Sequence, residues 1–215
     1  MKDQTNTVGV MLEWQQIAVG AAVVAKMYPN YALFCELSGF ASAAKFSAIL
    51  DLVWECAGGV NHKIDFSKQL TKLEQLTPDS DSYDMYGVWP ALDAATAMNS
   101  LLSACDKWDP DEISSVIILS NSTISSYLEF IAEQEKDTDS RLQAVDKSDP
   151  AEGTGDEVDF DDTPIHELFE EQDRYLELVS DKLLKDSESL GRRAAVNALR
   201  QFSRHIGLSN IGLSL

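Results

Sequence analysis

The sequence predicts an all-α fold, a single-domain bundle of about seven or eight helices over residues 1–215. Apolar residues recur every three or four positions through most of the chain, as they do on the inner face of a helix. Proline, glycine and capping residues separate these segments, and no alternation of strand and helix patterns indicates a parallel sheet. A chain of 215 residues with 44% hydrophobic residues can bury one core of this kind.

The first half of the chain is predicted to form three helices before a glycine pair. The first covers about residues 8–27, because Pro29 disfavours helical geometry at the residue before it. Asn30 is then expected to cap a short second helix after a corner at residues 27–30. The third helix, about residues 42–57, is apolar on nearly every side and is therefore expected at the centre of the bundle.

The later helices are predicted from residues that start helices. The segment after Asp109 also suits a strand at residues 116–119, but roughly twenty residues without Gly or Pro favour a helix. The last helix is predicted to begin near Ser189. The predicted starts are a side-chain cap at Asp65 and first-turn prolines at Pro90, Pro110 and Pro164.

A polar segment precedes the last two helices. Residues 136–163 contain two glycines and a nearly continuous acidic run at residues 156–162. Such a stretch cannot bury enough apolar area to order itself. We therefore predict a long, flexible acidic connector, and a solvated spacer is favoured over a docking segment.

Charge and cysteine content bound the class of protein. A net charge of −19 disfavours nucleic-acid binding, because a phosphate backbone repels such a surface. The apolar run at residues 17–25 is about half the length needed to cross a bilayer, so no membrane span is predicted. A cytoplasmic location is expected, because three well-separated cysteines indicate neither a disulfide framework nor a zinc site: Cys35, Cys56 and Cys105.

Carboxylates on the apolar third helix are one candidate site. Asp51 and Glu55 share a helix face, and Asp93 could supply a third oxygen, so a metal-dependent hydrolase is one hypothesis. The alternative, which we favour, is that these acids pair with arginines or hydroxyls inside the bundle. No HExxH, GxSxG, GxGxxG or P-loop motif is present, and no metal or cofactor is predicted.

The C-terminal segment reverses the charge of the chain. Arg193, Arg200 and Arg204 line one face of the last predicted helix, and no acidic residue follows Glu188. This stripe either pairs with carboxylates, such as Asp51, or binds an anionic ligand. Pairing is the favoured alternative.

Aromatic residues at two predicted helix corners are the third candidate site. Rings with a polar tip suit binding surfaces, although such rings also commonly fill cores. We therefore predict a non-enzymatic module that binds a protein or small molecule, with the metal-dependent hydrolase as the alternative. The candidate surface comprises Tyr28, Asn30, Tyr31, Tyr86 and Trp89.

Several uncommon strings occur in one order along almost the whole chain. This pattern resembles the YjaG-like bacterial family. The resemblance implies an all-helical fold in a gamma-proteobacterial cytosol, and it supplies no activity and no catalytic residue. The strings are MYPNY at 27–31, FC at 34–35, GF at 39–40, ILDLVWE at 49–55, DMYGVWPA at 84–91 with DA at 93–94, and SNIG at 209–212.

Overall fold

The computed structural model describes residues 8–60, 63–146 and 163–213, with the backbone alone at 137–146 and 163–166. Seven α-helices occupy the described residues, which confirms the predicted all-α bundle. A short 3₁₀ helix lies at Ser80–Ser82. The helices are α1 Glu13–Ser38, α2 Ala43–Ala57, α3 Phe66–Glu74, α4 Val88–Asp106, α5 Pro110–Asp146, α6 Thr163–Leu190 and α7 Arg192–His205.

The long helix α1 forms the centre of the bundle. It contacts α2, α4, α5, α6 and α7, and side chains such as Ala18 and Ala22 have no exposed surface. Small residues let the neighbouring helices approach, since a Cβ placed on Gly20 would lie 2.9 Å from Leu101 Cδ1 of α4. The expectation that residues 42–57 are central is therefore wrong, because α2 lies beside α1 and keeps a partly exposed outer face.

Pro29 does not end the first helix, contrary to the prediction. It lies buried inside α1, although its missing N–H leaves the Ala25 carbonyl without the usual helical donor. A distant segment contacts the same turn of α1, because the Asn210 N–H donates to the neighbouring Lys26 carbonyl at 3.2 Å. Asn30 is not a helix cap either, because its Nδ2 donates to Asn210 Oδ1 at 2.8 Å within the core.

The other predicted helix boundaries agree more closely with the structure. Asp65 caps α3 by accepting from the Lys68 N–H at 3.0 Å, and α5 begins at Pro110. Residues 116–119 lie inside α5, which removes the strand alternative. The last helix begins at Arg192, later than predicted, because the residue before it is a glycine with a φ of +79°.

The acidic connector overlaps two helices. α5 continues to Asp146 and α6 begins at Thr163, so both ends of the predicted 136–163 segment have helical backbone. Residues 147–162, including the acidic run, lie outside the described residues.

By length and composition, α1 could cross a membrane, and it is the one such helix among the described residues. However, 78% of its most apolar 18-residue window is buried inside the bundle. That burial is typical of the central helix of a globular protein, because the apolar surface already has protein neighbours.

Candidate functional site

A cleft of about 320 Å³ lies between α1, α2 and α7, and Tyr28, Asp51, Trp54, Ser203 and Arg204 line it. We call it the α1–α2–α7 cleft. It brings together one member of each predicted group: a tyrosine of the aromatic set, an acid of the carboxylate set and an arginine of the basic stripe. Its volume is at the lower end of the range for small-molecule sites, about 300–1,000 Å³.

The wall of the cleft is apolar and aromatic. Trp54 and Leu50 face it from α2 and are almost fully buried. Tyr28 faces it from α1, and its ring stacks beside Phe46 with 6.1 Å between centroids. Burial, and to a smaller extent the neighbouring Cys35 thiol, raises the pKa of Tyr28, so its hydroxyl stays protonated at neutral pH.

The rim of the cleft carries a charged triad. Arg200 Nη2 lies 2.6 Å from Asp51 Oδ1, and Arg204 Nη2 donates to the same oxygen at 2.8 Å. The arginines are four residues apart on α7, so helical geometry directs both toward α2. Two guanidinium groups therefore converge on one oxygen of Asp51 in a strongly acidic chain. The side chain of Arg204 is 55% exposed, so it remains accessible to a ligand.

The predicted arginine stripe is only partly assembled in this way. Arg200 and Arg204 pair with Asp51, which is the pairing alternative. Arg193 is exposed and does not line the cleft. Glu55, one turn after Asp51 on α2, does not line it either.

The predicted carboxylate cluster does not form. Asp93 lies on α4 and accepts from Thr123 Oγ1 of α5 at 2.8 Å, whereas Asp51 faces α7. Burial raises the pKa of Asp93, and the hydrogen bond from Thr123 opposes that rise. Within the described part of the chain, no three His, Cys, Asp or Glu side chains are placed to hold a metal ion. Asp51, Glu55 and Asp93 therefore do not converge on one site.

The aromatic candidate surface divides into separate environments. Tyr31 is fully buried and donates to the Leu76 carbonyl at 2.7 Å, so it belongs to the core. Trp89 is 51% exposed at the start of α4. Asn30 and Tyr86 line a second cavity of about 240 Å³ with almost entirely apolar walls. The predicted residues therefore do not share one surface.

Ser203 and Leu208 are cleft residues that the sequence did not identify. Ser203 could have been found, because it precedes Arg204 and lies three residues after Arg200 on the same helix. Leu208 had no local signal, since its position depends on how the chain turns back after α7.

Comparison with known proteins places the chain in a family. The model described as "Protein of unknown function (DUF416)" matches residues 5–214. The chain belongs to the DUF416 family. This confirms the predicted YjaG-like resemblance, and the relatives of this DUF416 chain are bacterial.

Relatives with the name "Uncharacterized protein YjaG" come from Salmonella and from Escherichia coli. The one from Salmonella typhimurium is 30% identical over 201 residues, which are 94% of this chain and 91% of that protein. The one from Escherichia coli K12 is 42% identical over 89 residues, 41% of this chain and 45% of that protein. A crystal structure of a DUF416 family protein from Shewanella baltica matches with a TM-score of 0.73 and 27% identity, over 98% of each chain.

Proposed function

We propose that this chain is a non-enzymatic binding module of the bacterial cytoplasm, and that the α1–α2–α7 cleft takes a small carboxylate with an apolar or aromatic body. The observation that carries the proposal is the position of Arg204, which is exposed and paired with Asp51 at the edge of a wall formed by Trp54 and Tyr28.

The arginine side of the cleft suits an anion. A guanidinium has five N–H donors, and Arg204 contacts Asp51 through Nη2, so other donors remain for a second carboxylate. Arg200 holds the same Asp51 oxygen, and the carboxylate is therefore shared between two cations. This arrangement orients Arg204 before a ligand arrives, which lowers the entropy lost on binding.

The opposite side of the cleft suits the rest of such a ligand. Trp54 and Leu50 line this side with apolar atoms, and an aromatic body buried there gains free energy from loss of contact with water. Ala25 and Pro29 of α1 also line the cleft and extend its apolar wall.

The test uses phenylacetate, indole-3-acetate and their neutral amides as probes, with calorimetry and two-dimensional NMR of the full chain. We expect the carboxylates to bind and to shift the Trp54 indole signal, and the amides to bind at least about tenfold more weakly. Arg204→Gln should weaken carboxylate binding by about tenfold or more, as expected for a charge-assisted hydrogen bond.

Two control variants locate the site. Arg193→Gln removes a charge from the same helix outside the cleft, and Tyr86→Phe changes the second cavity, so both should leave the affinity unchanged. Equal affinity for acids and amides would refute the role of Arg204. Loss of binding in Arg193→Gln would show that the overall charge of α7, and not Arg204 in particular, attracts the carboxylate. Loss of binding in Tyr86→Phe would show that the ligand binds in the second cavity.

A further inference from the structure

A groove of about 650 Å³ lies between α2 and α3. Both helices pack against α4 but hardly against each other, so a gap remains between them. We call it the α2–α3 groove. It shares no lining residue with the α1–α2–α7 cleft, and a ligand bound here would not depend on the proposed function.

Most of the lining of the groove is apolar, and much of it is aliphatic. Ile49 of α2 and Leu76, which follows α3, line it and are almost fully buried. Phe40 and Leu52 also line it and are partly exposed. The volume is about twice that of the cleft and lies within the range of small-molecule sites, about 300–1,000 Å³. A hydrocarbon chain placed there would gain free energy because it leaves water.

The charged residues of the groove are both basic, although the chain has a net charge of −19. Lys45 comes from α2 and Lys72 from α3, and both side chains are exposed. Neither lysine forms an ion pair with a described residue. Their charges are therefore available to an anion from outside the chain.

The ammonium group of Lys72 is held beside the groove. Its Nζ donates to Gln69 Oε1 at 3.2 Å, and Gln69 lines the same groove and is only 8% exposed. An ammonium has three donors, so two remain for a ligand. The helix α2 begins between two groove residues, Ala41 and Lys45, so the positive end of its dipole lies at the same place and adds to the attraction.

We propose that the α2–α3 groove binds a free fatty acid, whose carboxylate pairs with Lys72 in the field of Lys45 and whose chain covers Ile49 and Leu76. One such molecule combines the two properties that the groove selects, a single negative charge and a flexible apolar body. The lysines decide the sign of the headgroup, and the aliphatic lining rewards the length of the chain.

The test uses decanoate as the probe, below the concentration at which it forms micelles, with calorimetry and two-dimensional NMR of the full chain. We expect decanoate to bind and to shift the amide signals of Ala48 and Leu52. Decan-1-ol and decyltrimethylammonium should bind at least about threefold more weakly, because they lack the negative charge. From hexanoate to octanoate to decanoate, each added methylene should tighten binding by about two- to fourfold.

Matched variants locate the headgroup and the chain. Lys72→Gln should weaken decanoate binding by about three- to tenfold, and Lys68→Gln, which removes an exposed charge from α3 outside the groove, should leave it unchanged. Ala48→Trp fills the groove from an exposed position, so it should weaken binding by at least about tenfold without loss of folding, which circular dichroism checks. Arg204→Gln should have no effect.

Four results would overturn the proposal. Equal affinity for decanoate and decyltrimethylammonium would remove the role of the lysines. An equal loss in Lys68→Gln and Lys72→Gln would reduce that role to the overall charge of α3. Full binding by folded Ala48→Trp would place the chain outside the groove, and a loss in Arg204→Gln would place the ligand in the α1–α2–α7 cleft.

Discussion

Two buried tyrosines offer a matched test of how hydrogen bonds stabilise this bundle. Tyr31 of α1 donates to the Leu76 carbonyl at 2.7 Å, and Tyr175 of α6 donates to the Ala22 carbonyl at 2.8 Å with Ser203 Oγ at 3.3 Å. Both rings are buried, so Phe replaces either one with no change in shape. The chemical change is the same, and the main difference is the carbonyl that each hydroxyl leaves behind.

The cost depends on what the lost hydroxyl leaves behind. Ala22 lies inside α1, where helical geometry directs the Lys26 N–H to the same carbonyl, so Tyr175→Phe removes about 1 kcal/mol of net hydrogen bonding. Leu76 follows the end of α3, and no backbone N–H of a described residue donates to its carbonyl. Tyr31→Phe therefore also leaves a buried acceptor unsatisfied, and we expect a loss of about 2–3 kcal/mol.

Urea unfolding followed by circular dichroism measures both free energies, and thermal unfolding should show Tm falling by about 3 °C for Tyr175→Phe and about 7 °C for Tyr31→Phe. The slope of free energy against urea should stay unchanged in both variants. Equal losses, or a larger loss for Tyr175→Phe, would refute the reasoning from unsatisfied acceptors.

Three further predictions follow from buried polar groups and glycines. Burial lowers the pKa of Lys26 from 10.5, so between that lowered pKa and 10.5 the unfolded state binds more protons than the folded state. The free energy of unfolding of the wild type, relative to that of Lys26→Met, should therefore rise as the pH approaches 10.5. Urea unfolding measures it, and an equal difference between the two proteins at pH 8 and pH 10 would contradict the prediction. Gly59 and Gly39 both have a positive φ, of +71° and +67°, but a Cβ on Gly59 would lie close to Arg192 and a Cβ on Gly39 would meet no atom within 4 Å. Gly59→Ala should therefore lower Tm more than Gly39→Ala does. Equal shifts in thermal unfolding would show that the contact with Arg192 has no effect. Asn210→Ala removes buried side-chain hydrogen bonds to α1 and α5 and should cost about 2–4 kcal/mol; hydrogen exchange of the C-terminal residues should accelerate, and unchanged protection would count against the role of this side chain.

Local chemistry predicted much of the helix layout. Asp65 as a cap and Pro110 as a first helical residue are decided by the residues around them, and both predictions are confirmed. Pro29 was misjudged because the rule that proline ends helices considers only its neighbours. Burial of Pro29 and two hydrogen bonds with Asn210, a residue 180 positions after Asn30, decide the outcome instead: Asn210 accepts from Asn30 Nδ2 and donates its N–H to the Lys26 carbonyl. Such contacts cannot be read from a local pattern.

The candidate site was predictable as a set of groups but not as an arrangement. Helical spacing placed Arg200 and Arg204 on one face, and it could not choose between Asp51 and other carboxylates as their partner. Spacing within one segment also cannot relate α2 to α4, so the separation of Asp93 from Asp51 required the fold.

The contact of Asn210 with α1 has a consequence for synthesis of the chain. Ribosomes make residues 26 and 30 of α1 long before residue 210. Until residue 210 is made, the Lys26 carbonyl and the Asn30 side-chain amide lack their partner in Asn210. Final consolidation of the bundle therefore requires synthesis to have reached residue 210. A stop codon placed just ahead of position 210 would give a product that retains its seven helices and yet is a preferred substrate for quality-control proteases.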